Sequence, residues 1–338
     1  MGFDAQIYRL QRQGGIRRYF SDLASHLPQA GIRVSQQGSE KRNWFKPSPW
    51  YLADVVHPTF YSGVPYRLAK QQALVSSLHD MTPERHPEYF FLPALRSPHA
   101  NKAVWLAASD LIISVSAASA DDLIFFNSSL KSPTEVIHLA TSIHKINAQQ
   151  IDRLVGCRFW LMVGKRHAYK NALTLLKALS CLRSATDQPK KLPFLVFAGG
   201  GPWRSAERQL ITNHRLEQAV IQLDVSNNML AWLYHNAEAV FVPSLAEGFS
   251  LPLIEALACD TPVVASDLEV HREVGAGFAT FLSPLNTRLW TDWLDAHSAV
   301  PCQRPSVALG SQEYERLCNY YSIERMITQH INSYQALV

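Results

Sequence analysis

The chain has 338 residues, of which 47% are hydrophobic, 18% charged and 10% aromatic. That composition excludes a disordered or fibrous protein, and the length suits two domains. No run of 18 or more residues is uninterruptedly apolar, so no transmembrane helix is expected, and Asp4, Arg9 and Arg12 interrupt the N-terminal apolar positions, which speaks against a signal peptide.

In chain order, short β-rich runs alternate with helical patterns. Strands are expected at Phe3–Tyr8, Ile32–Gln36, Asp54–His57, Ala73–Leu78, Leu111–Val115 and Glu135–Leu139. Amphipathic helices fall between them, clearest at Ile16–Leu27 and Ala117–Phe126. The second half repeats the theme, with strands at Phe159–Val163, Phe194–Ala198, Val220–Leu223, Ala239–Val242, Pro262–Ala265 and Thr280–Leu282. Helices are expected near 172–184, 203–214, 227–236, 251–259 and 287–297, and a terminal helix over Ser322–Leu337. This is βαβα twice over, which implies two doubly wound parallel sheets. Polar residues near Asn147–Cys157 mark the seam. The domains are therefore 1–150, 151–321 and a terminal helix, 322–338, packing back on the first. The stretch Gln37–Pro49 reads as a loop with a basic-aromatic tip, Lys41 to Pro47.

Five cysteines without a CxxC pair suggest a reduced, cytoplasmic protein with no cysteine metal site. The net charge of +4 lies wholly in the first half, where residues 1–150 hold 15 Lys+Arg against 11 Asp+Glu. Such a face suits an anionic lipid or phosphorylated acceptor, hence a peripheral contact on the inner face of the membrane. A solvated basic surface is the competing reading. No basic-aromatic nucleic-acid motif appears.

In open α/β sheets ligands bind beyond the carboxyl ends of strands, so the chemistry belongs on the strand-to-helix loops, in a cleft between two facing sheets. "AVFVPS" is a buried strand and "AEGFS" the loop after it. Ser250 suits an N-cap and Pro252 the first helical turn. The helix then starts near Leu251, and its open amides suit a phosphate. Glu247 reaches in from the loop. Glu255, in the second turn, leans back towards the helix start. Carboxylates beside a phosphate site make sense if hydroxyl-rich groups, a sugar and a ribose, share it. Arg166 and Lys170, on the loop after Phe159–Val163 and followed by Asn171 as a cap, form an anion pocket on the same logic. "VFAGGGPW" runs a strand into a glycine turn, where Gly200 and Gly201 let backbone approach a nucleotide.

The stretch "EGFSLPLIE" resembles the E-x7-E signature of retaining glycosyltransferases of the GT-B fold, in the large family 4. The similarity covers more than twenty residues of "PSLAEGFSLPLIEALACDTPVVASD". The usual pattern has glycine where this chain has Ser250 and Asp260. "LMVGKRHAYKNALTLLKAL" is similar to the family segment whose Arg and Lys clamp the donor diphosphate, positions taken here by Arg166 and Lys170. The resemblance implies donor contacts from Gly248, Phe249, Ser250, Leu251 and Glu255, and a nucleobase pocket at Leu223 and Val225. In "QRQGGIRRYF" it brings Gly14 and Gly15 towards the donor phosphates. "DVVHPTFYSG" and "SSLHDMTPERHPEYF" look like segments of bacterial mannosyltransferase-like enzymes of O-antigen synthesis. There, His79 and Asp80 join Glu247 as candidate catalytic groups at the reacting sugar.

The resemblance thus implies a GT-B retaining hexosyltransferase. Its donor would be a sugar nucleotide, GDP-mannose in this branch, and its acceptor a glycan or lipid-linked saccharide. No D-x-D stands in the sequence, so no metal or other cofactor is expected. Front-face attack, with the leaving phosphate oxygen taking the acceptor proton, is implied by the family. The alternatives are a UDP-sugar donor, a non-hydrolysing sugar-nucleotide epimerase, or a sugar-nucleotide-binding protein without turnover. A Rossmann dehydrogenase does not fit, because no GxGxxG opens a βαβ unit.

Overall fold

The computed structural model describes every residue except Gln13, 37–51, 66–67, 91–98, 186–191 and Ala276, together with the side chains of Leu309 and Ser311. The basic-aromatic tip Lys41–Pro47 lies outside the described residues.

The α/β expectation is borne out: the described residues form two six-stranded sheets, with every strand pair among them parallel. The first is built from β1 (Gly2–Phe3), β2 (Ser35–Gln36), β3 (Val55–Val56), β4 (Ala73–Leu78), β5 (Leu111–Ser114) and β6 (Thr134–Val136), in the order β2-β1-β3-β4-β5-β6. The second holds β7 (Phe159–Val163), β8 (Phe194–Ala198), β9 (Val220–Leu223), β10 (Ala239–Val242), β11 (Val263–Ser266) and β12 (Ala279–Leu282), in the order β12-β11-β10-β7-β8-β9. Strands β4, β10 and β11 are buried along their whole length, as runs covered on both faces must be. In the second unit, Trp160, Phe197, Phe241 and Trp290 fill the core with Leu175, Leu176 and Leu179 of the helix Ala172–Ala185.

The expected strand Phe3–Tyr8 is a correction. The strand stops at Phe3, and Gln6–Leu10 is helical. The Asp4 carboxylate accepts from the Gln6 amide at 3.2 Å, the Thr59 amide at 2.9 Å and the Thr59 hydroxyl at 2.6 Å, which turns the chain out of the sheet.

Two compact units result, Met1–Ala140 with Tyr321–Val338, and Thr141–Tyr320. The boundary falls earlier than the seam expected at 147–157. The segment after Thr141 is held by the second unit: the Gln149 amide donates to the Asn228 carbonyl at 3.0 Å, and Asn228 Nδ2 donates to the Asn147 carbonyl at 2.8 Å. The last helix, Ile323–Gln335, is part of the first unit.

That helix is tied in by a buried chain of hydrogen bonds whose direction one carbonyl sets. His330 Nδ1 lies 2.8 Å from the Met326 carbonyl, which can only accept, so Nδ1 carries the proton. Nε2 of the neutral ring therefore accepts from Tyr19 Oη at 2.6 Å. Tyr19 in turn accepts from Ser77 Oγ at 2.9 Å, Ser77 from His57 Nε2 at 2.8 Å, and His57 Nδ1 from Tyr334 Oη at 2.8 Å. Every member is satisfied with both imidazoles neutral. Burial, above all, pushes His330 down to about 4 and His57 well below its usual range. Among the described residues no helix is long and apolar enough to cross a membrane.

Candidate active site

The C-terminal unit gathers its candidate residues on the loops after β7, β8 and β10. The loop after β7 carries Arg166 and Lys170, and the two have different fates. Arg166 is 2% exposed. Its Nε sits 3.1 Å from both oxygens of Glu207, Nη1 donates to the Gly199 carbonyl at 2.7 Å, and Nη2 donates to the carbonyls of Gly201 at 2.6 Å and Pro202 at 3.0 Å. The guanidinium also lies 4.7 Å from the centre of the Trp203 ring. These bonds all lie within the unit, where they hold up the glycine turn. The turn needs a glycine at position 200 for that reason. Gly200 has φ +81°, and a Cβ there would fall 2.8 Å from Arg166 Nη1 and 3.1 Å from the Gly164 carbonyl oxygen.

Lys170 pairs with an acid on a second loop. Its Nζ donates to Glu247 Oε1 at 2.5 Å, with the side chains 21% and 9% exposed. Ser244 Oγ donates to the same oxygen at 2.7 Å. The two loops are fastened to each other: the Leu245 amide donates to the Tyr169 carbonyl at 2.7 Å, and Asn171 Nδ2 donates to the carbonyls of Pro243 at 3.1 Å and Pro284 at 3.0 Å. Asn171 sits at φ 55°, its carbonyl accepts from the Thr174 amide at 3.0 Å and its Oδ1 from the Thr174 hydroxyl at 2.8 Å, so it joins the first turn of the helix Ala172–Ala185 to two strand-following segments.

Gly248, Phe249 and Ser250 lead into the helix Leu251–Ala258. Ser250 occupies the N-cap, but its side chain caps nothing, and its buried Oγ finds no partner among the described residues. Backbone explains why glycine is usual there: Ser250 sits at φ 86°, and Asp260, the other departure, at φ 55°. Asp260 is compensated, since its carboxylate accepts from the Ser306 amide at 2.8 Å and the Ser306 hydroxyl at 2.6 Å. Ser250 is not. Ser250→Gly should therefore raise the urea midpoint, by about 1 kcal/mol of relieved backbone strain, and Asp260→Gly should lower it. A Ser250→Gly midpoint at or below the parent's would contradict the strain argument.

Glu255 is 3% exposed and accepts from Tyr234 Oη at 2.6 Å. The structure thus does not bring the two acids to one partner: Glu247 pairs with the loop lysine, Glu255 with a tyrosine beneath the helix. Leu223 and Val225 are half-buried at the carboxyl end of β9.

In the N-terminal unit His79 and Asp80 follow β4 directly. The rings of Tyr19 and Phe20 stand edge-on to His79, at centroid distances of 5.6 and 6.1 Å. Both rings belong to the helix Gly15–His26, whose N-cap is the exposed Gly14. Gly14 and Gly15 thus begin the helix that packs on His79. Burial, partly opposed by Asp80, holds His79 down at about 4, so the ring is neutral at neutral pH. Burial would raise the Asp80 carboxyl, but Lys102, His99 and the Thr82 amide at 2.9 Å keep it below the usual carboxylate range.

Several further groups escaped sequence reasoning. His271, fully buried, donates from Nδ1 to the Ser266 carbonyl at 2.8 Å, leaving a buried Nε2 with no partner among the described residues. Burial lowers its pKa, Glu247 raises it and Lys170 lowers it, so it senses both members of that couple. Its signal was its place just after a strand's carboxyl end. Ser244 and Tyr234 carry no sequence signal. Among the described residues no group of three His, Cys, Asp or Glu is placed to hold a metal ion.

Comparison with known proteins reads the same loops. Residues 146–282 match the family model Glycosyl transferases group 1. The chain is 30% identical over 133 residues to O-antigen chain mannosyltransferase RfbU of Salmonella typhimurium, a match spanning 39% of this chain but only 36% of that protein. It is 28% identical over 308 residues to O-antigen chain mannosyltransferase B of Escherichia coli, covering 85% of this chain and 77% of the relative. Among solved structures, sucrose-phosphate synthase of Thermosynechococcus elongatus superposes with TM-score 0.70 at 16% identity, over 100% of this chain and 95% of that one. HepE of Anabaena, solved with UDP and glucose, gives 0.69 at 16% identity, over 98% of each chain. At that identity the two show the fold, which is GT-B. Residues 146–282 thus match the Glycosyl transferases group 1 family, and the chain has the GT-B fold.

Proposed function

We propose that the protein is a retaining hexosyltransferase that moves mannose from GDP-mannose to a hydroxyl of a glycan or lipid-linked acceptor in bacterial polysaccharide synthesis. The observation that carries this reading is the Lys170–Glu247 couple, a cation and a carboxylate from two fastened loops at strand carboxyl ends. A nucleotide diphosphate competes for Lys170 through charge-assisted bonds. Glu247, released from the lysine, accepts hydrogen bonds from donor-sugar hydroxyls. The acceptor oxygen bonds to the anomeric carbon on the face from which the diphosphate leaves, and its proton passes to the departing phosphate oxygen. Lys170 and the amides opening the helix Leu251–Ala258 neutralise that leaving group, while Glu247 faces the oxocarbenium-like centre. The choice of GDP-mannose leans on the mannosyltransferase names of the relatives.

The test contrasts the two acids. Glu247→Gln should lower kcat by about two to three orders of magnitude, the scale of losing one electrostatic stabiliser, with GDP affinity hardly changed. Glu255→Gln should weaken binding of both GDP and GDP-mannose in calorimetry. The same assay separates the rivals. Transfer requires an added acceptor, an epimerase converts donor alone, and a binding protein releases no GDP. Unchanged kcat in Glu247→Gln would remove the reading's support.

A further inference from the structure

Among the described residues of the N-terminal unit, one lysine is buried. Lys102 is 2% exposed, at the first position of the helix Lys102–Ala108. It shares a buried side with Trp105 and Leu106, three and four residues on. A buried ammonium is destabilising unless its donors are well placed. These are: Nζ donates to the Asp80 carbonyl at 2.8 Å and to Glu84 Oε2 at 2.6 Å. Both acceptors lie in the segment that follows β4. Asp80 comes directly after His79, and Glu84 is in the short helix Thr82–Arg85. Asp80 Oδ1 also receives the Thr82 amide at 2.9 Å, so its carbonyl and its carboxylate are both fixed. His79 is thus held between a lysine-anchored neighbour and the Tyr19 and Phe20 rings.

We propose that Lys102 is a positioning residue for the His79–Asp80 pair: reaching across from its helix, it fixes the backbone that presents both groups to the donor sugar. The proposal rests on the glycosyltransferase reading for what the pair meets, and on geometry alone for how the pair is held. The electrostatics agree in sign. The Lys102 charge favours a neutral His79 and an ionised Asp80. The other groups acting on this cluster are His99 on both, Asp80 and His79 on each other, and Glu84 and Tyr19 on the neighbouring Tyr61. His57 lies beneath and feels His79.

The experiment uses the full chain. Lys102→Met keeps the length of the side chain and removes its charge and donors; Lys102→Arg restores the charge. The His79 ring is titrated by NMR, and kcat and KM are measured with GDP-mannose. In Lys102→Met the His79 midpoint should rise by about one unit, the scale of losing one nearby like charge, and kcat should fall about tenfold or more, as for a displaced catalytic group. KM for the donor should stay within about threefold, and Lys102→Arg should recover the midpoint. A folded Lys102→Met with unchanged His79 titration and kcat overturns the proposal. If the parent transfers no sugar, the functional reading fails, and the titration still decides whether Lys102 sets His79. If Lys102→Met does not fold, Glu84→Gln decides. It leaves the ammonium but loosens its anchor, and should lower kcat and move the His79 ring resonances. No change in either overturns the proposal.

Discussion

Arg166→Ala should destabilise the C-terminal unit by about 3–5 kcal/mol, because it leaves Glu207 as an uncompensated buried carboxylate. The side chains are 1% and 4% exposed, so water cannot replace the lost partner. Three carbonyls of the glycine turn, at Gly199, Gly201 and Pro202, lose their donor in the same stroke. Among the described residues, Glu207 keeps the Arg204 amide at 2.8 Å. The double variant Arg166→Met with Glu207→Gln should recover much of the loss, since the buried charge is then gone from both sides. The measurement is urea unfolding of the full chain, followed in the transition assigned to the second unit, because two units need not unfold together. An Arg166 that served only to bind phosphate would behave oppositely, with an unchanged midpoint and weakened nucleotide binding. That outcome would overturn the anchoring role.

Arg166 and Lys170 show where sequence reasoning succeeds and where it stops. Both are cations on one strand-to-helix loop, and nothing in "GKRHAYKN" says that one points into the unit and the other towards an acid on another loop. The distinguishing partner, Glu207, lies 41 residues on and reads in sequence as an ordinary first-turn acid. The sheet cores were legible. β7, β8 and β10 begin and end where their apolar runs do, because a buried parallel strand tolerates no polar interruption. The N-terminal edge was not. β1 spans two residues, and Ile7 is buried in a helix where a period of two served equally well. The helix Lys102–Ala108 was missed because its opening buried residue is a lysine, which the apolar pattern counts as surface. The sequence marks Ser250 and Asp260 as departures from glycine without saying what glycine does there. The structure makes them a matter of backbone, since Ser250 and Asp260 both have positive φ.

The N-terminal unit should lose stability steeply as pH falls from about 6.5 to 4. His57, His79 and His330 all have folded-state pKa values below the ordinary 6.5, with burial as the leading cause, and His79 and His330 lie at about 4. His99 moves in the same direction. For such a group the unfolded chain binds the proton first. Between the two pKa values stability therefore rises with pH, and acid removes it. Each histidine contributes at most about 1.4 kcal/mol per pH unit. Asp22 opposes them: burial raises its carboxyl to about 6, so the folded state takes up that proton more readily and acid favours it. Four histidines against one aspartate leave a net slope of about 4 kcal/mol per pH unit as an upper bound. The depressed Asp80 adds its loss only lower still, below the ordinary carboxylate pKa. The physical weak point is the chain from Tyr334 to Met326. Protonating His57 Nδ1 or His330 Nε2 turns an acceptor into a second donor facing a hydroxyl that already donates, and the run of bonds between the last helix and β4 is broken. Hydrogen exchange of the Val75–Leu78 amides in the full chain, corrected for intrinsic rates, should show protection falling between pH 6.5 and 5. His330→Gln, whose pH dependence lacks one ionisation, should flatten the fall. Protection that stays level over that range would mean the histidines are solvated in the folded state and the buried chain does not hold the helix.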